Sequence, residues 1–204
     1  MHAGIEELTQ VMSRQHGADE QVDWAAARVD WGIGFPEDFR AFMAVYGSGA
    51  ISDEVEVLAP APVATALAAS MEGVTGNARH AWQAEGGRAV LDVNPNHILA
   101  WGLTSGPDFL CWLTADNDPD RWPVLVIGRH TRPMFTVYPF GMAEFLCRLL
   151  REDASAWDRW PLSIGRPLLM NPAPSFVHWQ VQQDRWNAGL SPATGTPSRF
   201  PEGF

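Results

Sequence analysis

Four short segments between His97 and Phe140 constrain this chain more than any other feature. They read HILAWGL (His97–Leu103), DFLCWLT (Asp108–Thr114), WPVLVIG (Trp122–Gly128) and MFTVYPF (Met134–Phe140). Each is short, apolar and rich in β-branched or aromatic residues, which is the pattern of buried strands. The links Thr104–Pro107, Ala115–Arg121 and Arg129–Pro133 carry Gly, Pro, Asn and Asp. A parallel crossover needs about a dozen residues or more, so these links can only close hairpins. The sheet is therefore expected to be largely antiparallel.

Helical periodicity flanks this run. In Met142–Glu152, Met142, Phe145, Leu146 and Leu149 share one face. Upstream, GFPEDFRAFMAVYGSGAI (Gly34–Ile51) reads as a short helix with both ends marked. Pro36 suits a first helical turn, and Glu37 and Asp38 suit the positive end of the helix dipole. Phe39, Phe42, Met43 and Tyr46 fall at i, i+3, i+4 and i+7, and Gly47 fits a left-handed cap. Further helices are expected over Ile5–Arg14 and Val22–Val29, and over Ala61–Glu85 with a break near Gly73–Gly76. Ser48–Ala50 reads as a loop and VEVLAP (Val55–Pro60) as a strand.

The sum is an α+β domain over residues 1–153. A central, largely antiparallel sheet is flanked by N-terminal helices and a closing helix. Residues 154–204 form a Pro-, Gly- and Trp-rich extension, expected to pack on the domain with flexible last residues. One helix is expected there, Phe176–Asn187, with Ser175 as its N-cap.

Composition narrows the function. The net charge is −10, and all 14 basic residues are arginine. Nucleic-acid affinity rests on phosphate contacts, so an acidic chain without a basic run is a poor candidate for it. The same charge suits a basic protein partner or serves solubility alone. The start of the chain has no basic and apolar leader pattern, and no apolar run approaches about 18 residues. A cytoplasmic protein without a membrane segment is the expectation. Cys111 and Cys147 lie in apolar runs and read as buried free thiols.

The usual chemical motifs are not completed. DNDPD (Asp116–Asp120) alternates carboxylates as a calcium loop does. The sixth and twelfth positions, which need Gly and Glu, hold Arg121 and Ile127. Ser48 lies in Gly47-Ser48-Gly49, but a nucleophile elbow needs glycine two residues away on each side, where Tyr46 and Ala50 stand. The six histidines form no metal-binding spacing, and Gly86-Gly87 is followed by no lysine. No catalytic residue, cofactor or metal is predicted. Trp101, Trp112 and Trp122 read as sheet packing; Trp157, Trp160, Trp179 and Trp186 either hold the tail down or face a partner.

The order of these elements resembles the SUKH superfamily, the Smi/Knr-like proteins. DWGIGFPEDFRAFMAVYGSGAI (Asp30–Ile51) resembles the family's helix-and-loop hallmark, with Phe35 and Phe39 in place of the usual Leu and Tyr. VEVLAP follows in place, ILAWGLTSGPDFLCWLT (Ile98–Thr114) resembles the family hairpin, and DPDRWPVLV and MAEFLCRLL resemble its later stretches. The resemblance implies an α+β fold and non-enzymatic work. Bacterial members resemble immunity proteins that bind and block a cognate polymorphic toxin, often a nuclease. The alternative is an intracellular regulatory adaptor for a cellular protein complex. A toxin domain with a basic surface would meet acidic groups, and the candidates are Asp53, Glu54, Glu56, Asp116, Asp118 and Asp120.

If the Phe39–Tyr46 face is core, Phe42→Ala will cost about 3–5 kcal/mol in urea unfolding. A loss under about 1 kcal/mol would place that face in solvent.

Overall fold

The computed structural model describes residues 2–17, 20–61, 69–151, 157–170 and 173–197. The elements run α1 (Ala3–Val11), β1 (Ser13–His16), α2 (Trp24–Trp31), α3 (Glu37–Val45), β2 (Gly49–Ile51), β3 (Val55–Val57), α4 (Met71–Ala84), α5 (Gly87–Val90), β4 (Ile98–Thr104), β5 (Phe109–Leu113), β6 (Val124–Ile127), β7 (Phe135–Tyr138), α6 (Met142–Leu150), α7 (Arg166–Met170), β8 (Ser175–His178) and α8 (Trp179–Asn187). The chain is α+β. Among the described residues, eight strands form one sheet in the order β1-β8-β2-β3-β4-β5-β6-β7.

The pairings from β2 to β7 are antiparallel throughout; the short links require this from β4 to β7, whereas β3 and β4 are joined through α4 and α5. Burial is nearly continuous along β4, β5 and β6. Such strands need cover on both faces, unlike a sheet with one wet side. Helix α4 supplies part of it: Thr75 accepts the Ala100 N–H at 3.1 Å, and Trp82 meets Phe135 edge-on at 4.7 Å. Helices α3 and α6 bring Phe39 to Trp112 at 5.0 Å and Phe145 to Trp101 at 6.0 Å. One apolar cluster joins all these elements with Phe176 of β8.

Several sequence expectations need correction. The first helix ends at Val11, and Arg14 lies in β1. The second helix is shifted to Trp24–Trp31, where Asp23 accepts the Ala25 and Ala26 N–H groups. Pro36 stands just outside α3, whose first residue is Glu37. Helix α4 runs unbroken through Gly73 and Gly76, because tertiary packing of Val74, Thr75 and Ala78 outweighs glycine's poor propensity. The earlier part of that expectation, residues 62–68, lies outside the described residues. Ser48–Ala50 is only partly loop, since Gly49 and Ala50 belong to β2. Trp122 precedes β6 and does not lie on a strand.

The largest departure is in the tail. The expected helix Phe176–Asn187 is a strand followed by a helix, capped by His178 and not by Ser175. Strand β8 lies between β1, which it pairs in parallel, and β2, which it pairs antiparallel. The segment after residue 153 thus contributes an internal strand of the sheet. Its Phe176 is buried and packs edge-on to Phe42 at 5.7 Å. Gly49 makes the close pairing feasible: a Cβ there would lie 2.3 Å from the Val177 carbonyl oxygen, and its φ is +155°. Residues 198–204 of the expected flexible end lie outside the described residues.

A chain ending at residue 153 is expected to lose its cooperative thermal transition and most near-UV circular dichroism, because β1 loses its partner and Phe42 its cover. Retention of a sharp transition would show that β8 is dispensable.

Candidate functional site

Strand register separates the two acidic sets that the sequence marks out. Val55 pairs with Thr104, so Asp53 and Glu54 sit beside the β4–β5 turn. Ile98 pairs with Leu113, so Asp116–Asp120 follow from the opposite end of the same hairpin. At about 3.3 Å per residue, the length of β4 holds the sets roughly 20 Å apart. They do not form one patch.

The Asp116–Asp120 turn is largely occupied within the fold. Asp116 Oδ1 accepts the Asp118 N–H at 3.0 Å, and Asp118 Oδ1 accepts the Asp120 N–H at 3.2 Å. Asp116 also faces Arg121 at 3.4 Å, and its carbonyl accepts the Trp122 indole N–H at 2.7 Å. Asp120 Oδ1 accepts the Glu37 N–H at 2.6 Å, at the start of α3. Helix α3 has no side-chain cap of its own, since Pro36 stands at that position. Asp120 satisfies one of its orphan donors from a distant turn.

The same device recurs one step on. Helix α6 starts after Gly141, which has no side chain to cap with. Asp38 of α3 accepts the Ala143 N–H at 2.8 Å instead. A Cβ on Gly141 would sit 2.8 Å from Asp38 Oδ2, so a larger residue there would push that carboxylate aside. Asp38 is 8% exposed. Burial pushes its carboxyl above the ordinary range against the opposing pull of the Ala143 N–H. These groups line a cleft of 620 Å³ between α1, α3, α6 and the Asp116–Asp120 turn.

At the other end, Asp53, Glu54 and Glu56 line a second cleft of 310 Å³, with Ser105 and Gln182 on its walls. Ser52 and Asp53 both have left-handed backbone, at φ +51° and +62°. Asp tolerates this region better than most residues, and the tight turn projects its exposed side chain. Glu54 accepts from the Ser105 hydroxyl, and Glu56 Oε1 accepts the Ala69 N–H at 3.0 Å. Burial and then the neighbouring Glu54 charge raise the Asp53 carboxyl; burial raises Glu56 despite its Ala69 bond. Among the described residues lining this cleft, none is basic.

One cluster was not legible in the sequence. Ser48 donates its hydroxyl to Glu20 Oε2 at 2.9 Å and its N–H to the same oxygen at 2.6 Å. His178 Nε2 stands 3.5 Å from that oxygen, which is an ionic approach and not a well-formed hydrogen bond. His178 Nδ1 accepts the Gln180 N–H at 3.2 Å, so a neutral ring carries its proton on Nε2, toward Glu20. Nucleophilic catalysis needs the imidazole between hydroxyl and carboxylate. Here the carboxylate is central, so the cluster ties three chain segments together and does not activate Ser48. Burial alone would raise the Glu20 carboxyl, but the approach of the His178 ring and the two bonds from Ser48 outweigh it and lower the pKa.

Cys111 and Cys147 are both free and buried. Burial raises both thiols, Cys147 to about 11, which keeps them protonated and weakly nucleophilic. Among the described residues, no group of three or more His, Cys, Asp or Glu side chains is placed to hold a metal ion. None of the described helices is long and apolar enough to cross a membrane. Comparisons with protein-family models, with curated proteins and with solved structures give no match.

Because the folded Glu20 carboxyl titrates below its ordinary value of 4.5, its stabilisation is full above that pH and fades as pH falls through the lower folded value. Glu20→Gln should lower stability at pH 7 by about 1.5–3 kcal/mol and flatten the acid limb of the stability curve. An unchanged acid limb in urea melts from pH 7 to 3 would remove Glu20 from that role.

Proposed function

We propose that this chain is a non-enzymatic protein-binding domain that works inside the cell by occluding a basic protein surface. On this reading it is SUKH-like, and the partner is a cognate toxin domain, a nuclease being the case that fits best. The observation that carries the proposal is the cleft of Asp53, Glu54 and Glu56, which gathers three carboxylates with no basic residue among its described lining. A nuclease keeps a basic groove for its phosphate substrate, and an acidic cleft on a chain of net charge −10 would steer toward it.

The Asp116–Asp120 turn takes a lesser part in this reading, because its carboxylates already accept N–H groups or pair with Arg121. An adaptor would dock through the tryptophans of the tail. Trp157 packs edge-on against Tyr138 at 5.1 Å and donates its indole N–H to Arg148, and Trp160 donates to Ile164. Those two rings are engaged in holding the tail down, whereas Trp186 is exposed and is what the adaptor reading keeps.

The test is capture of partners by the tagged chain from its own cell lysate at low and high salt, followed by affinity measurement on the purified pair. Asp53→Asn suits the left-handed backbone, so it removes charge without reshaping the turn. It is expected to weaken binding several-fold at low salt and much less at high salt. Binding should also weaken on acidification from above the ordinary carboxylate range, since Asp53 and Glu56 protonate early. Salt-independent binding to a partner without a basic surface would overturn the proposal.

A further inference from the structure

The 620 Å³ cleft at the start of α3 and α6 has a charge balance that helix capping leaves incomplete. Its lining holds the carboxylates of Glu7, Glu37, Asp38, Asp120 and Glu144. It also holds Arg148 and Arg151, and both are already committed. Arg148 pairs with Glu144 at 2.6 Å, and Arg151 pairs with Glu7. Glu37 and Asp120 remain with no cationic partner among the described residues, while Asp38 has the His2 ring nearby, which opposes its charge when protonated.

Capping uses only part of this acceptor capacity. Asp120 gives Oδ1 to the Glu37 N–H, and Asp38 gives Oδ2 to the Ala143 N–H. Asp38 Oδ1 is buried and has no hydrogen-bond partner, although the residue is only 8% exposed. A buried acceptor without a donor is rare in native structures and calls for an explanation. His2, on the same cleft, has a second such atom, Nδ1. The walls include Pro36, Pro119 and Trp122, which suit a planar cation or an alkyl stem. An anion would meet the uncompensated carboxylates of Glu37 and Asp120 and no unpaired arginine in the described lining.

We propose that this cleft is a second binding site, which takes a guanidinium or alkylammonium group between Asp38 and Asp120. The group donates to the open oxygen of Asp120 and to Asp38 Oδ1. The site lies at the opposite end of the β4–β5 hairpin from Asp53 and does not depend on the toxin-binding reading.

The probes are agmatine and an amidated Gly-Arg-Gly peptide, each titrated into the full chain and followed by calorimetry and by the indole signals in NMR. Saturable binding is expected, weakened at least tenfold by Asp38→Asn and by Asp120→Asn and unchanged by Asp92→Asn, which does not line the cleft. Both amides keep an oxygen for the capped N–H, so the helix starts are retained, and near-UV circular dichroism checks this. If Asp38→Asn fails to fold, Asp120→Asn carries the test. Binding of both probes assigns the site to the cationic group whatever its source. Binding of the peptide alone assigns it to an arginine of a protein partner. No saturable binding, binding indifferent to both substitutions, or preferential binding of inorganic phosphate would overturn the proposal.

Discussion

The rest of the structure depends on how α3 lies against the sheet. Its Phe39 stands edge-on to Trp112 at the centre of the meander, and its Phe42 stands edge-on to Phe176 in β8. One two-turn face therefore grips both the meander and the late strand inserted beside β2. Phe39, Phe42, Met43 and Tyr46 are all buried, and Tyr46 also donates its hydroxyl to the Met12 carbonyl at 2.9 Å. Burial of rings of this size contributes several kcal/mol in sum, on the scale of a domain's whole stability. The helix that looks plainest in the sequence is the one that holds α1, β5 and β8 in one core.

Polar groups then fix what the apolar contacts leave loose. Asp120 caps α3 and Asp38 of α3 caps α6, so the turn after β5, the third helix and the closing helix are linked in series. Asp108 does similar work at the other end. It is fully buried and accepts from Thr104 Oγ1 at 3.0 Å, from the Arg129 N–H at 2.8 Å and from the Ser163 N–H at 2.7 Å. A buried carboxylate supplied with that many donors is tolerated where a bare one would not be. It joins the β4–β5 turn, the β6–β7 loop and the segment before α7. Ser48, Glu20 and His178 lock the remaining junction, where β8 runs into α8.

Much of this architecture was legible residue by residue. The meander followed from short β-branched runs and links too short to cross over. The faces of α3 and α6 followed from their spacing, because a buried helical stripe and a buried strand leave different periods in the chain. Boundaries moved by a few residues, as at Pro36 and Trp24. The caps were harder to see, although a trace of them exists: α3 and α6 begin at Pro36 and Gly141, which offer no capping side chain. A helix start without a local cap requires a partner from elsewhere, but the chain does not say which carboxylate supplies it.

The sequence by itself determined the α+β class, the antiparallel meander, the buried face of α3 and the acidic character, because period, link length and charge are local or additive properties. Only the tertiary structure decided that Phe176–His178 is a strand between β1 and β2. Only it decided that Asp116–Asp120 caps a helix while Asp53, Glu54 and Glu56 share an open cleft. The reason is physical. Whether Val177 extends or coils depends on the strand edge beside it, and whether a carboxylate faces solvent depends on the N–H groups that distant segments bring to it. Neither neighbour is encoded near the residue that needs it.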